Sequence, residues 1–270
     1  MDRHRSASMT AQGPMQPATG SATIRRGLYL APFDELADPH VMAGLAAHAE
    51  ARGWDAIFLW DRIHYPPRNR PVADVWVMLS AIAVATQSIR LGPMITPLPR
   101  RRVQKVARES VTLDRLSRGR LTMGVGLGNV DDFEPFGDEV DPRARARLLD
   151  RGLERLTGYW DEGFQPPPVQ HPRIPIWVAA NWPHRRPIRR ALRWDGLFPI
   201  DLPGPEEFAH LAEETRQQRA DKDGPFDLIV EIPPSADPDP WVSAGATWVL
   251  TGFEPQPGED EVREVIDAGP

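Results

Sequence analysis

The sequence of 270 residues contains no cysteine. Disulfides, thiolate nucleophiles and thiolate-held metals are therefore excluded. Lysine is nearly as scarce: Lys105 and Lys222 stand against thirty arginines, which leaves little material for a Schiff base. No two histidines are spaced His-x-His, so a metal-dependent barrel hydrolase or lyase is disfavoured and no metal is expected. No apolar run approaches the roughly 20 residues that span a bilayer. No membrane contact is expected, and a cytoplasmic location follows by default. The net charge of −6 is too mild to suggest a nucleic-acid partner. What is present is an ordinary globular composition, 41% hydrophobic and 26% charged. The length suits one large domain or two small ones.

Residues 1–26 (MDRHRSASMTAQGPMQPATGSATIRR) are polar, with Pro, Gly, Ser and Thr scattered through them. They lack the apolar core of a signal peptide. A disordered tail is expected, or an overlong start with Met9 or Met15 as the true beginning.

From residue 27 the pattern alternates. Short apolar runs predict strands at 27–33, 54–60, 89–96, 120–128, 176–181, 195–200, 226–232 and 247–252. Helices are predicted at 37–53, 72–88, 101–119, 145–161, 183–194, 205–220, 239–245 and 258–269. The first is punctuated clearly: Asp38 can cap it, Pro39 suits its first position and Gly53 its exit. Strand and helix thus alternate eight times. Parallel strands need helical crossovers, and eight of them close into a (β/α)8 barrel, here a single domain over 27–270. Such barrels place their chemistry at the carboxyl ends of the strands.

The segment WDRIHYP (60–66) lies at such an end. Asp61 is a candidate general base, or an orienting partner for Arg62; a structural ion pair is the alternative. His64 is a candidate acid–base residue, against a solvated loop histidine. The other strand ends offer Pro32 and Phe33, then Met94, Ile95 and Thr96, then Gly126, Gly128 and Asn129. Asn181, Trp182, Asp201, Glu231 and Thr251 complete the rim, which is largely apolar and aromatic and suits a flat aromatic ligand. GVGLGN (124–129) lets backbone approach a ligand closely. Helix 183–194 carries Arg185 and Arg186 in its first turn, where each cation is unfavourable by ~0.3–1 kcal/mol. An anion bound there would remove the conflict; a solvated arginine face is the alternative. The acidic loop 131–139, with Phe133 and Phe136, reads either as a lid or as a solvated loop.

Several stretches resemble the bacterial luciferase-like monooxygenase superfamily of FMN- or F-420-dependent enzymes. They are GLYLAPF with GWDAIFLWDRI, then IRLGPMITPLPRRRVQKVARESVTLDRLSRGRLTMGVGLGN, RIPIWVAANWPHRRPIRRALRWDGLFP, and AGATWVL. The resemblance implies a luciferase-like TIM barrel with the cofactor ring over Met94, Ile95 and Thr96, and a non-proline cis peptide at Met94–Ile95. It assigns Asn129, Ala180, Asn181 and Trp182 to the cofactor's phosphate and side-chain region, beside Arg185 and Arg186. Many members carry histidine where this chain has Arg62, which cannot accept a proton at ordinary pH but could stabilise an anionic ring or substrate. Relatives have glycines where Asn181 and Trp182 stand. They also carry an insertion where QPPPVQHPRIP (165–175) is short, so the substrate site is either more open or completed by a partner subunit.

The activity implied is oxidation or reduction of a small organic substrate. With F-420 this is hydride transfer, with Asp61 or His64 handling the proton; with reduced FMN it is monooxygenation. F-420 is preferred, because an acidic cofactor tail would favour arginines at the rim. A catalytically impaired cofactor-binding or assembly subunit of the same fold is the alternative. A carboxylate-pair glycosidase using Asp61 and Glu231 is a further reading. Relatives often form dimers, so a homodimer is the expected assembly.

Overall fold

The computed structural model describes residues 24–67, 69–220, 224–254 and 257–270. Of the tail expected over residues 1–26, residues 1–23, with Met9 and Met15, lie outside the described residues, as does Lys222. Arg25 and Arg26, assigned above to the tail, instead open strand β1 (Arg25–Leu30).

The strands are short, apolar and parallel, as expected for elements buried on both faces. After β1 come β2 (Ala56–Leu59), β3 (Arg90–Pro93), β4 (Thr96–Pro97), β5 (Met123–Gly126), β6 (Ile176–Asn181), β7 (Gly196–Ile200), β8 (Asp227–Ile232) and β9 (Trp248–Gly252). Their order in the sheet is β3-β2-β1-β9-β8-β7-β6-β5-β4. The strand expected over 89–96 is split: β3 pairs with β2, β4 pairs with β5, and between them lies the cis Met94–Ile95 peptide. The two segments share one barrel position. The ring is closed there by the amide of Thr122, which donates to the Leu91 carbonyl at 2.9 Å, and by that of Leu91, which donates to Arg120 at 3.2 Å.

Helices α1 (Pro39–Ala51), α2 (Val75–Ala85), α3 (Val103–Leu116), α4 (Pro142–Gly158), α5 (Arg185–Ala191), α6 (Pro205–Gln218), α7 (Asp239–Ser243) and α8 (Glu259–Ala268) wrap the strands. Side-chain caps set several starts. Asp38 accepts from the His40 amide at 2.7 Å, Asp74 from Trp76 and Val77 at 2.9 and 3.1 Å, and Asp141 from Ala144 at 2.7 Å. The Asp141 cap moves the start of α4 three residues ahead of the expected position.

Alternation along the strands produces two cores. Outward residues such as Leu28, Leu30, Ile57 and Leu59 pack under the helices. Inward residues form a separate cluster inside the ring. Its lower layer is Phe58, Trp177 and Trp248, with ring centroids 5.1 to 6.2 Å apart. Gly196 makes room for this layer: a Cβ there would lie 2.4 Å from Trp177 Cδ1. The upper layer, Tyr29, Trp60 and Phe198, faces the carboxyl ends of the strands.

Candidate active site

A cavity of about 380 Å³ opens at those carboxyl ends. Met94 and Ile95 form one side, and the backbone of Gly126, Leu127, Gly128 and Asn129 forms the next. Tyr29, Trp60, Phe198 and Ile200 close the apolar wall; Asn181, Arg190 and Glu231 supply polar groups. Gly128 is obligatory on two counts. Its φ is +76°, and a Cβ would sit 2.5 Å from Pro97. A Cβ on Gly126 would lie 2.8 Å from Ile95 Cδ1. The result is a slot with one wall of bare backbone.

Asp61 is 4% exposed and its carboxylate is already committed. One oxygen accepts from Thr96 Oγ1 at 2.9 Å. The other accepts from Arg100 at 3.1 Å and Arg101 at 2.5 Å, and Arg100 also reaches the Asp61 carbonyl at 3.2 Å. Two guanidinium groups and a hydroxyl hold this carboxylate in place from both of its oxygens. It suits the fixing of the β2 and β4 ends better than the proton handling expected above. Arg62 is likewise engaged: its Nε lies 2.6 Å from the fully buried Asp132, and its guanidinium lies 5.2 Å from the Tyr65 ring centroid. It still lines the cavity. His64 does not line the cavity. Its Nε2 lies 2.6 Å from the Asp131 carbonyl and its ring contacts Phe136.

Of the residues expected at the cofactor, Met94, Ile95, Gly126, Gly128, Asn129 and Asn181 line the cavity. Thr96 is wholly buried and turned to Asp61. Ala180 faces the outer core, because on β6 the inward positions are Ala179 and Asn181. Trp182 packs against that outer core, and its amide donates to Ile200 at 2.8 Å. Arg185 pairs with Glu214 and Arg186 is exposed; neither lines the cavity. The arginine of α5 that does is Arg190, one turn further on, held by both Asp150 oxygens at 2.6 and 3.0 Å.

Two further cavity residues carry titratable groups: Glu231, expected on the rim and named above only for a glycosidase reading, and Tyr29, not singled out from the sequence. Glu231, on β8, is exposed toward the cavity, yet the wall packed around it desolvates its carboxyl and pushes it up to about 7. Gly252 provides the space it fills: a Cβ there would come within 2.2 Å of Glu231 Oε1. Tyr29 pairs in register with Gly252. Its phenol is raised well above the ordinary value, first by burial and next by the Glu231 charge, with Arg62 opposing. Tyr29 therefore feels the charges of both Glu231 and Arg62. The available signal was period two: in DLIVEI, the acid shares the inward face with Ile229.

The residues present fit a flat heteroaromatic cofactor with a polar chain. The glycine-backed slot beside Met94 and Ile95 takes a ring, and Asn129, Asn181 and Arg190 offer the polar groups along the way out.

The family model described as luciferase-like monooxygenase matches residues 7–242. A phthiodiolone/phenolphthiodiolone dimycocerosates ketoreductase from Mycobacterium sp. (strain JLS) is 29% identical over 223 residues, covering 75% of this chain and 53% of that protein. The chain thus spans about half the length of the curated relatives it matches first. The coenzyme F-420-dependent tetrahydromethanopterin reductase of Methanopyrus kandleri superposes with a TM-score of 0.72 at 18% identity, over 90% of this chain and 97% of that one. A type II Baeyer–Villiger monooxygenase from Pseudomonas putida, solved with FMN, gives 0.66 at 15% identity, over 78% and 67%. The fold is therefore that of the luciferase-like TIM barrels, which include both F-420- and FMN-dependent enzymes.

Proposed function

The chain belongs to the luciferase-like monooxygenase family, and on that premise we propose that it is an oxidoreductase using F-420, in preference to FMN, to interconvert a small carbonyl compound and its alcohol. Glu231 carries this reading. A carboxyl that titrates at about 7 on the wall of an apolar cavity is matched to moving a proton near neutral pH. Bound reduced F-420 supplies the hydride for carbonyl reduction. Glu231, in its protonated form, gives its proton to the carbonyl oxygen and recovers one from water at the cavity mouth. Tyr29, kept neutral by its raised pKa, donates a hydrogen bond that orients that oxygen. Arg62, fixed by Asp132, places positive charge where the oxygen becomes negative. Trp60, Ile95 and Phe198 keep bulk water from the reacting carbon. The ketoreductase relative supports carbonyl chemistry.

A second reading, a cofactor-binding subunit without turnover, is favoured by the commitment of Asp61, Arg62 and His64 to internal partners. Fluorescence titration with F-420, and separately with oxidised and reduced FMN, decides the cofactor. Micromolar binding of F-420 alone, followed by absorbance changes on adding ketones or secondary alcohols, is the expected result. Selective FMN binding with oxygen uptake would replace hydride transfer by monooxygenation. Tight F-420 binding with no turnover of any carbonyl would establish the second reading.

A further inference from the structure

A second cavity, of about 540 Å³, lies between the start of α3 and the middle of α4. Arg100, Arg101, Arg102, Arg151 and Arg155 line it, against a single acid, Asp138. Few of these charges are compensated. Arg100 and Arg101 share one carboxylate, that of Asp61. Arg155 donates to the Tyr159 hydroxyl at 2.9 Å and, among the described residues, has no ion-pair partner. Arg102 and Arg151 are exposed and, among the described residues, have no ion-pair partner. Five cations less the two acids Asp61 and Asp138 leave three uncompensated positive charges.

Two further observations point to a ligand. The Arg100 side chain is 5% exposed, lines the hollow, and its Nε has no acceptor. The hollow also takes in Val103 and Gln104 in the first turn of the 14-residue α3, whose free amides receive no side-chain cap and whose first turn holds no acid. Helix dipole, free amides and guanidinium forks all favour the same sign of guest.

We propose that this hollow binds a small polyanion carrying about three closely spaced phosphate or carboxylate charges, the number its uncompensated arginines would neutralise. The site shares a wall with the catalytic cavity. Arg101 faces the hollow and also donates to Asp61, which accepts from Thr96 next to the Met94–Ile95 peptide. A free polyphosphate and the acidic tail of F-420 present the same chemistry; only the second source rests on the function proposed above.

The test is calorimetric titration of the full chain with inorganic triphosphate at low and high salt, without cofactor. One saturable site per chain is expected, weakened by salt. The double variant Arg102→Ala with Arg151→Ala should raise the Kd at least tenfold. A control, Arg143→Ala with Arg147→Ala, removes the same charge from α4 outside the hollow and should change it less than twofold. Absence of saturable binding, or equal loss in both double variants, overturns the proposal. With the site established, F-420 is titrated in the presence of saturating triphosphate. A raised Kd for F-420 assigns the hollow to the cofactor tail, and an unchanged Kd assigns it to an independent polyanion. Triphosphate binding needs no cofactor, so failure of the site and failure of the F-420 reading remain distinct.

Discussion

Glu231 and Asp61 are both acids at the carboxyl ends of strands, and their surroundings give them opposite work. Glu231 meets desolvation with no cation at hand, so its carboxyl rises from the ordinary 4.5 to about 7. Asp61 meets Arg100, Arg101 and Thr96. Glu231→Gln should lower kcat for carbonyl reduction roughly 100-fold or more, with cofactor affinity unchanged, since a positioned general acid contributes about that much. In the parent protein that rate should fall as pH rises through about 7, because the acid is being deprotonated. A variant retaining both the rate and the pH limb would remove Glu231 from the mechanism. Stability carries the same signature. The folded state holds the Glu231 proton more tightly than the unfolded one. Its contribution is therefore fully present below about 4.5 and is lost as pH rises to about 7. Melting temperatures of parent and Glu231→Gln protein should diverge between acid and mildly alkaline buffer, the parent losing more. Asp61→Asn should act on stability first. It leaves two guanidinium groups without their shared carboxylate, at a cost of roughly 3 kcal/mol for breaking a buried pair. Urea unfolding reads this directly; an unmoved midpoint would mean that Asp61 is not the anchor described.

At the scale of elements, punctuation and periodicity carried the strand and helix order. Asp38–Pro39 and Gly53 bound α1, and the run IWVAAN, five apolar residues closed by Asn181, gives β6 the span expected for it. The cis peptide at Met94–Ile95 was expected from family resemblance alone, and the division of the third barrel strand there was not expected at all; nothing in the apolar run IRLGPMIT marks it. The site was less legible for a different reason. WDRIHYP draws attention because its charges are consecutive, but what decides their roles comes from far along the chain: Arg100 and Arg101 lie 39 and 40 residues from Asp61, and Asp132 faces Arg62. The Arg185–Arg186 pair misleads in the same way, since one turn of helix separates it from the arginine that faces the cavity. Glu231 was visible as an acid in an apolar strand, yet its environment depends on Gly252 of the neighbouring strand. That dependence is testable. Gly252→Ala puts a methyl where the carboxyl now sits, and Glu231 is flexible enough to yield. The fold should persist with little change in melting temperature, while kcat falls in the manner of Glu231→Gln. Full activity would show that the position of the carboxyl does not matter.

Across the whole molecule, the barrel separates stability from function along its axis. Below, Phe58, Trp177 and Trp248 fill the ring and plug it. Beneath them is a separate hollow of about 370 Å³ at the opposite end, which Trp177 and Trp248 also line. Above, Trp60 is half-buried on the wall of the cavity at the carboxyl ends of the strands. Packed layers at the amino end and loops at the carboxyl end are how such barrels divide these tasks. Two tryptophan deletions should therefore behave oppositely. Trp177 is 1% exposed, and Trp177→Ala should cost about 3–5 kcal/mol, the usual loss for a large core aromatic. At a temperature where that variant remains folded, its KM and cofactor Kd should match those of the parent. Trp60→Ala removes part of a wall instead of the plug. It should cost less than half as much stability while weakening substrate or cofactor binding severalfold. The comparison needs only denaturant midpoints and one binding titration per variant. Parallel losses of stability and binding in both would mean that the upper and lower layers form one cooperative core, and that the cavity cannot be altered without loosening the barrel that holds it.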